Sequence, residues 1–219
     1  FGYIEFTMGD ASELNREIEI KLDLASFTNY LKLVGFLGQI EREERHINAF
    51  FDSEDRHLSN KGWALRVRSE GSRGLITVKS IPAEEGIAVV RQEIEAEIPK
   101  GQALDVISLA KDVLSLDNMP IDFVKQKIGK RDLTRLVLFE NVRQKKVFKI
   151  GDFNYLLEID KTEYNDGSVD YELELELQDT RNLDVIEDAL RKLFHSLGIP
   201  FVHQKESKFH RALKKANIF

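Results

Sequence analysis

The sequence predicts an α+β fold in which about eight antiparallel strands close into a barrel with helices packed outside it. Three observations carry that expectation. Segments alternating charged and apolar residues recur along the 219-residue chain, and period two marks a strand with one covered face. Helix-patterned segments fall in the connections between those strands and after the last of them. The charges sort by strand instead of mixing, so an open sheet would hold half its faces charged and two edges bare. Closure removes the edges and lets the charged faces converge.

Arg16 to Leu22 sets the pattern, with Ile18, Ile20 and Leu22 on one face and Glu17, Glu19 and Lys21 on the other. Ser26 is placed to cap a helix carrying Phe27, Leu31, Val34 and Leu37, which Gly35 and Gly38 end. Residues 40–52 read as a strand closing on Phe50-Phe51-Asp52, and 53–62 as a polar turn region. Trp63 to Arg68 puts Leu65 and Val67 opposite Arg66 and Arg68; Gly71 to Gly74 is a hairpin turn into Leu75–Lys79. Pro82 to Gly86 turns the chain into Ala88–Ile98, where Arg91, Glu93, Glu95 and Glu97 alternate with apolar residues.

The middle changes character. Leu104, Ile107, Val113 and Leu114 fit one helix, Ile121 to Ile128 a second, and 129–132 a break. Three long strands follow, roughly 133–149, 153–164 and 168–178, with Asn165-Asp166-Gly167 a strong hairpin signal. Asn182 is read as the cap of a helix through Leu197, stopped by Pro200, and 206–216 as a short basic helix. Two blocks of strands flank the central helices, which hints at a duplicated half. Residues 1–14 are expected to be an N-terminal extension, trimmed or tagged, and 15–216 one domain.

Composition narrows the function classes. A net charge of −6 argues against duplex nucleic acid as the main partner, and no apolar run approaches bilayer length. The absence of cysteine removes disulfides and thiolate metal sites, and suits a cytoplasmic location. The five histidines (46, 57, 195, 203 and 210) lack metal-ligand spacing and read as surface or packing residues; no P-loop or dinucleotide fingerprint appears.

The charged faces suggest what a lumen would hold. Glu172, Glu174 and Glu176 make one strand face acidic, joined by Asp160, Glu17 and Glu19. Arg66 with Arg68, Lys79, and Arg143 with Lys145 make others basic. Carboxylates at i and i+2 present oxygens from one strand to one hard cation. A lumen with carboxylates on one wall and Arg/Lys on the other is costly when empty. A linear triphosphate bringing Mg²⁺ or Mn²⁺ would relieve both walls.

Glu17-Ile18-Glu19-Ile20-Lys21 resembles the Glu-x-Glu-x-Lys signature of the CYTH superfamily, the triphosphate tunnel metalloenzymes. Phe51-Asp52, Leu65–Arg68, Val78-Lys79, Glu140–Arg143, Leu157–Asp160, Tyr171–Glu174 and Ser207–Phe209 follow in family order. The resemblance implies an antiparallel tunnel that binds a small-molecule triphosphate and cleaves it with divalent metal by direct attack of water. By matching position it makes Glu17, Glu19, Asp160, Glu172 and Glu174 the metal-side carboxylates. Lys21, Arg66, Arg68, Lys79, Arg91, Arg143 and Lys208 become the phosphate-binding cations, and Glu17, Glu19 and Lys21 the catalytic signature. Strand register decides whether Glu93, Lys145, Glu158 and Glu176 face the lumen. Tripolyphosphate, needing nothing beyond the charged tunnel, ranks first as substrate. Thiamine triphosphate would want an aromatic platform such as Trp63, Phe153 or Tyr155. Cyclisation of ATP, as in class IV adenylyl cyclases, and polyphosphate binding without turnover are the alternatives.

Overall fold

Alternation becomes closure in the computed structural model, which describes residues 15–39 and 41–218. The expected N-terminal extension, 1–14, lies outside the described residues, as does Ile40 at the start of the expected second strand. Eight strands run antiparallel around the barrel in the order β1 (Asn15–Asp23), β9 (Val169–Leu177), β8 (Phe153–Tyr164), β7 (Thr134–Ile150), β2 (Arg42–Asp52), β3 (Trp63–Glu70), β4 (Arg73–Ser80) and β6 (Ala88–Pro99). Pairing of β1 with β6, Glu17 opposite Arg91, closes the ring. Two short strands that the sequence reading left out, β5 (Ala83–Glu85) and β10 (Val202–His203), extend the rim beside β6 and β1.

The core lies outside the barrel. Ile18, Ile20 and Leu22 are buried against α1 (Phe27–Leu37) and α5 (Leu183–Leu197) through Leu33, Ile186, Leu190 and Phe194. Leu65, Val67, Ile76 and Val78 are covered by α3 (Lys100–Ile107) and α4 (Met119–Ile128). Outward faces therefore supply the hydrophobic stabilisation, and inward faces are left for charge. A short α2 (His57–Asn60) follows β2, and α6 (Lys208–Lys215) packs Ala212 and Leu213 on Phe50, Val137, Phe139 and Tyr164.

Local chemistry sets the ends of these elements. The Ser26 side chain accepts from Asn29 N at 3.2 Å, as its position before α1 predicts. Asn182 precedes α5 but is in the left-handed region (φ 62°) and its side chain makes no cap bond. The single helix expected over 104–114 is two pieces. Leu109 adopts φ 66°, and Ala110 N and Lys111 N both donate to Asp105 O, ending α3. Asp112 then caps a separate 3₁₀ turn, Val113–Ser115.

Gly74 marks where α3 meets the sheet. A Cβ there would sit 2.4 Å from the Ala103 Cβ and 3.0 Å from the Ile98 Cγ1. Gly74→Ala is expected to cost about 1–3 kcal/mol by forcing α3 outward. Urea unfolding checks this, and an unchanged midpoint would show that α3 yields freely.

Candidate active site in the barrel lumen

Inward-facing residues enclose a cavity of about 730 Å³. Glu17, Glu19, Lys21, Arg66, Arg68, Lys79, Arg91, Arg143, Glu174 and Lys208 all line it, as do Glu93, Lys145, Glu158 and Glu176, which the sequence left open. Asp160 and Glu172 come to the same place but lie behind the lining, fully buried beneath Arg143 and Lys208.

Register explains the grouping. Asp160 is opposite Glu172 and Glu158 opposite Glu174 across β8 and β9, so the i, i+2 carboxylates of both strands stack side by side. Oxygens of Asp160, Glu172 and Glu174 lie within 4.8 Å of one another. Arg143 forks onto Asp160 with Nε–Oδ1 2.8 Å and Nη2–Oδ2 2.6 Å, and also reaches Glu158 and Glu174. The Lys208 ammonium is 2.8 Å from Asp160 and 2.9 Å from Glu174, and also bonds Glu172. Lys21 bridges Glu19 (3.0 Å) and Glu174 (3.1 Å), tying β1 to the cluster.

Burial alone would raise carboxyl pKa values; here Arg143 and Lys208 overcome it and hold Asp160 below the usual range. Glu174 is likewise held well below it against burial, by Lys208, Lys21 and Arg143. Burial works against Lys208 too, yet Asp160, Glu172 and Glu174 keep its ammonium raised.

The basic side is less segregated than the sequence reading expected. Lys79 sits 2.6 Å from Glu17 and 2.7 Å from Glu93; Arg66 is 3.7 Å from Glu95 and donates to Thr77. The acidic pair β9 and β8 and the basic pair β3 and β4 lie apart in the ring, but β6 carries both signs on its lumen face, with Arg91, Glu93 and Glu95. Ion pairs across neighbouring strands, Lys79 with Glu93 and Arg143 with Asp160, offset part of the cost of gathering these charges. Arg68 differs: its Nε donates to Asn48 Oδ1 at 2.8 Å and its nearest carboxylate, Glu70, is 3.4 Å away. Burial, with Arg66 and Arg143 nearby, lowers its pKa to about 10.

The lumen face of β2 (Glu44, His46, Asn48, Phe50) had no place among the sequence candidates. His46 is not an ordinary packing residue: its Nε2 lies 3.4 Å from Glu44 and 3.5 Å from Glu70. Burial and the flanking Arg68 and Arg143 push its pKa down to about 2, so it stays neutral. The signal was present, since Ile47, Ala49 and Phe51 alternate with these residues. Arg211 on α6 was also missed; it is buried and bonds Glu172 and Tyr164. Of the three aromatic candidates only Trp63 reaches the cavity, and it is buried edge-on to Phe123 at 4.7 Å. Phe153 is exposed and Tyr155 packs into the outer core.

A divalent cation fits this donor set. The cluster offers only carboxylate oxygens, the ligands hard cations take. Glu17 Oε2 and Glu19 Oε1, the latter an ion-pair neighbour of Lys21 and Arg91, are buried and accept no hydrogen bond. No described helix is long and apolar enough to cross a membrane.

Among solved structures, the chain is similar to a Hippeastrum protein assigned as an adenylyl cyclase and described as having a dominant triphosphatase activity. That match has 26% identity and a TM-score of 0.80, covering 90% of this chain and 95% of that one. It also resembles an adenylate cyclase-type protein from Bacillus halodurans (22% identity, TM-score 0.66, 90% and 97% covered) and a protein from Pyrococcus horikoshii (19%, 0.57, 90% and 99%). These two share the fold. No curated protein matches the chain. The sequence profile of the CYTH domain matches residues 15–211, the whole barrel and its helices as far as the first turn of α6. The chain belongs to the CYTH domain family.

Proposed function

We propose that this protein is a divalent-cation-dependent hydrolase of triphosphate substrates, with inorganic tripolyphosphate first among them. The observation that carries the reading is one cavity lined by a row of cations and backed by buried carboxylates whose oxygens lie within 4.8 Å of one another. The dominant triphosphatase activity described for the Hippeastrum relative supports it. Lys21, Arg66, Arg68, Lys79, Arg91, Arg143 and Lys208 bind the phosphates. Glu17, Glu19, Asp160, Glu172 and Glu174 hold Mg²⁺ or Mn²⁺, which when bound polarises phosphate oxygens and activates water.

The chain's own residues then position and neutralise. Arg66 and Arg68 on β3 and Lys79 on β4 line the cavity from adjacent strands, suited to successive phosphates. Arg forks bind phosphate oxygens in pairs, Lys as a point charge. The charge that builds on the leaving pyrophosphate is met by fixed cations that need no reorganisation. Lys21 pairs with both Glu19 and Glu174 and so places one cation between the two groups of carboxylates. A headless substrate is favoured because it needs nothing beyond the charged lining.

The test is phosphate release from tripolyphosphate, thiamine triphosphate and ATP side by side in Mg²⁺ or Mn²⁺, with cyclic AMP assayed in the ATP samples. Fastest release from tripolyphosphate is expected. Cyclic AMP with pyrophosphate would make the protein a cyclase, and binding without turnover a polyphosphate-binding module.

Arg68→Ala checks the phosphate side. Losing a charge-assisted contact of about 1.5–3 kcal/mol should weaken tripolyphosphate binding by roughly tenfold to a hundredfold. Calorimetry should show Mn²⁺ affinity unmoved. Equal losses for both ligands would place Arg68 outside the phosphate row.

A further inference from the structure

Two cations one helical turn apart on α6 meet the same carboxylate from opposite sides. Lys208 bonds Glu172 Oε1, and Arg211 Nη2 donates to Glu172 Oε2 at 2.6 Å. Their other surroundings differ. Arg211 is held by four partners: Nε lies 2.8 Å from Asp170 and donates to the Tyr164 hydroxyl at 3.2 Å, Nη1 donates to the Glu206 carbonyl at 2.7 Å, and Glu172 is the fourth. Among the described residues, Lys208 Nζ pairs only with Asp160, Glu172 and Glu174.

Those three carboxylates are the one group among the described residues with ligating oxygens gathered within 4.8 Å. An ammonium and a divalent ion cannot share that volume. A planar guanidinium fixed at four points is part of the framework, whereas a lysine ammonium on a flexible stem can leave. Lys208 also lines the cavity, so on leaving the carboxylates it swings toward the phosphate row.

We propose that Lys208 is the exchangeable counter-ion of the Asp160–Glu172–Glu174 cluster, expelled by the divalent cation, and that Arg211 is a positioning residue fixing Glu172 for that cation. Arg211 saturates Oε2, so Oε1 is left facing the cluster. One helix thus fills the site without the cation and shapes it for the cation. The inference rests on the proposed function in one respect only, that a divalent cation binds this cluster.

The two residues should move cation affinity in opposite directions, which a purely structural role for α6 would not do. The measurement is Mn²⁺ binding to the full chain without phosphate, followed by the electron paramagnetic resonance of free Mn²⁺. Lys208→Met should tighten binding by about tenfold, since a competitor is removed. Arg211→Met should weaken it by about tenfold, the usual scale for a residue orienting a ligand. Arg211→Lys, which keeps the charge but not the fork, guards against a merely undocked helix and should also weaken it. Asp160→Asn separates the two ideas. Wild-type-like Mn²⁺ affinity in Asp160→Asn would sink the cation reading of the cluster and this inference with it. Loss in Asp160→Asn, with Lys208→Met no tighter than wild type or both Arg211 variants as tight, would leave that reading standing and overturn the inference.

Discussion

Arg143→Met is expected to destabilise the fold by about 3–5 kcal/mol, the cost of stripping a buried carboxylate group of its main cation. Arg143 forks onto Asp160 and reaches Glu158 and Glu174, and no Asp160 atom meets solvent. Lys208 alone would remain on Asp160. The pH dependence should change with it. Asp160 and Glu174 are held below the usual carboxylate range, despite burial, by Arg143 and Lys208. In acid the unfolded chain therefore binds protons that the native state refuses. That stabilisation is complete above the unfolded carboxylate pKa of about 4, and falls as pH drops below it toward the depressed native values. Urea unfolding between neutral and acid pH should show this slope in the wild type and a shallower one in Arg143→Met. Adding Asp160→Asn to Arg143→Met should restore part of the loss, because the orphaned charge is gone. An Arg143→Met protein as stable as wild type would mean the cluster is hydrated and not held by this pair.

Glu19→Gln should lower cation-dependent turnover by about a hundredfold or more while leaving anion binding detectable. Glu19 is buried, its Oε1 accepts no hydrogen bond, and it touches the phosphate row through Lys21 and Arg91. The amide keeps the shape and removes the negative charge. Steady-state rates in Mn²⁺, with tripolyphosphate binding measured alongside, check both halves. Unchanged turnover would remove Glu19 from the site.

Much of this was legible because a strand states its own two faces. Ile18, Ile20 and Leu22 predicted an outer core, and the turn Asn165-Asp166-Gly167 predicted that the strands carrying Asp160 and Glu172 would pair. What stayed hidden was mostly what pairing decides. The same alternation in β2 puts Glu44, His46 and Asn48 inside, but a single histidine among polar residues has no meaning until Glu70 arrives from β3. Which charged strands would be neighbours could not be read in full, because β7 pairs with β2 and β1 with β9 across long stretches of chain. Arg211 looked like one charge on a basic helix, since the carboxylates it pairs with lie about 40 positions earlier. The break at Leu109 was masked by apolar spacing that continues through it.

Cation-dependent hydrolysis in the lumen is the central proposal. Its most direct test is the product ratio from tripolyphosphate in Mn²⁺ and in chelator. Equal amounts of orthophosphate and pyrophosphate in Mn²⁺, with none in chelator, are the predicted result. Release that persists in chelator, or that survives Glu19→Gln undiminished, would contradict it.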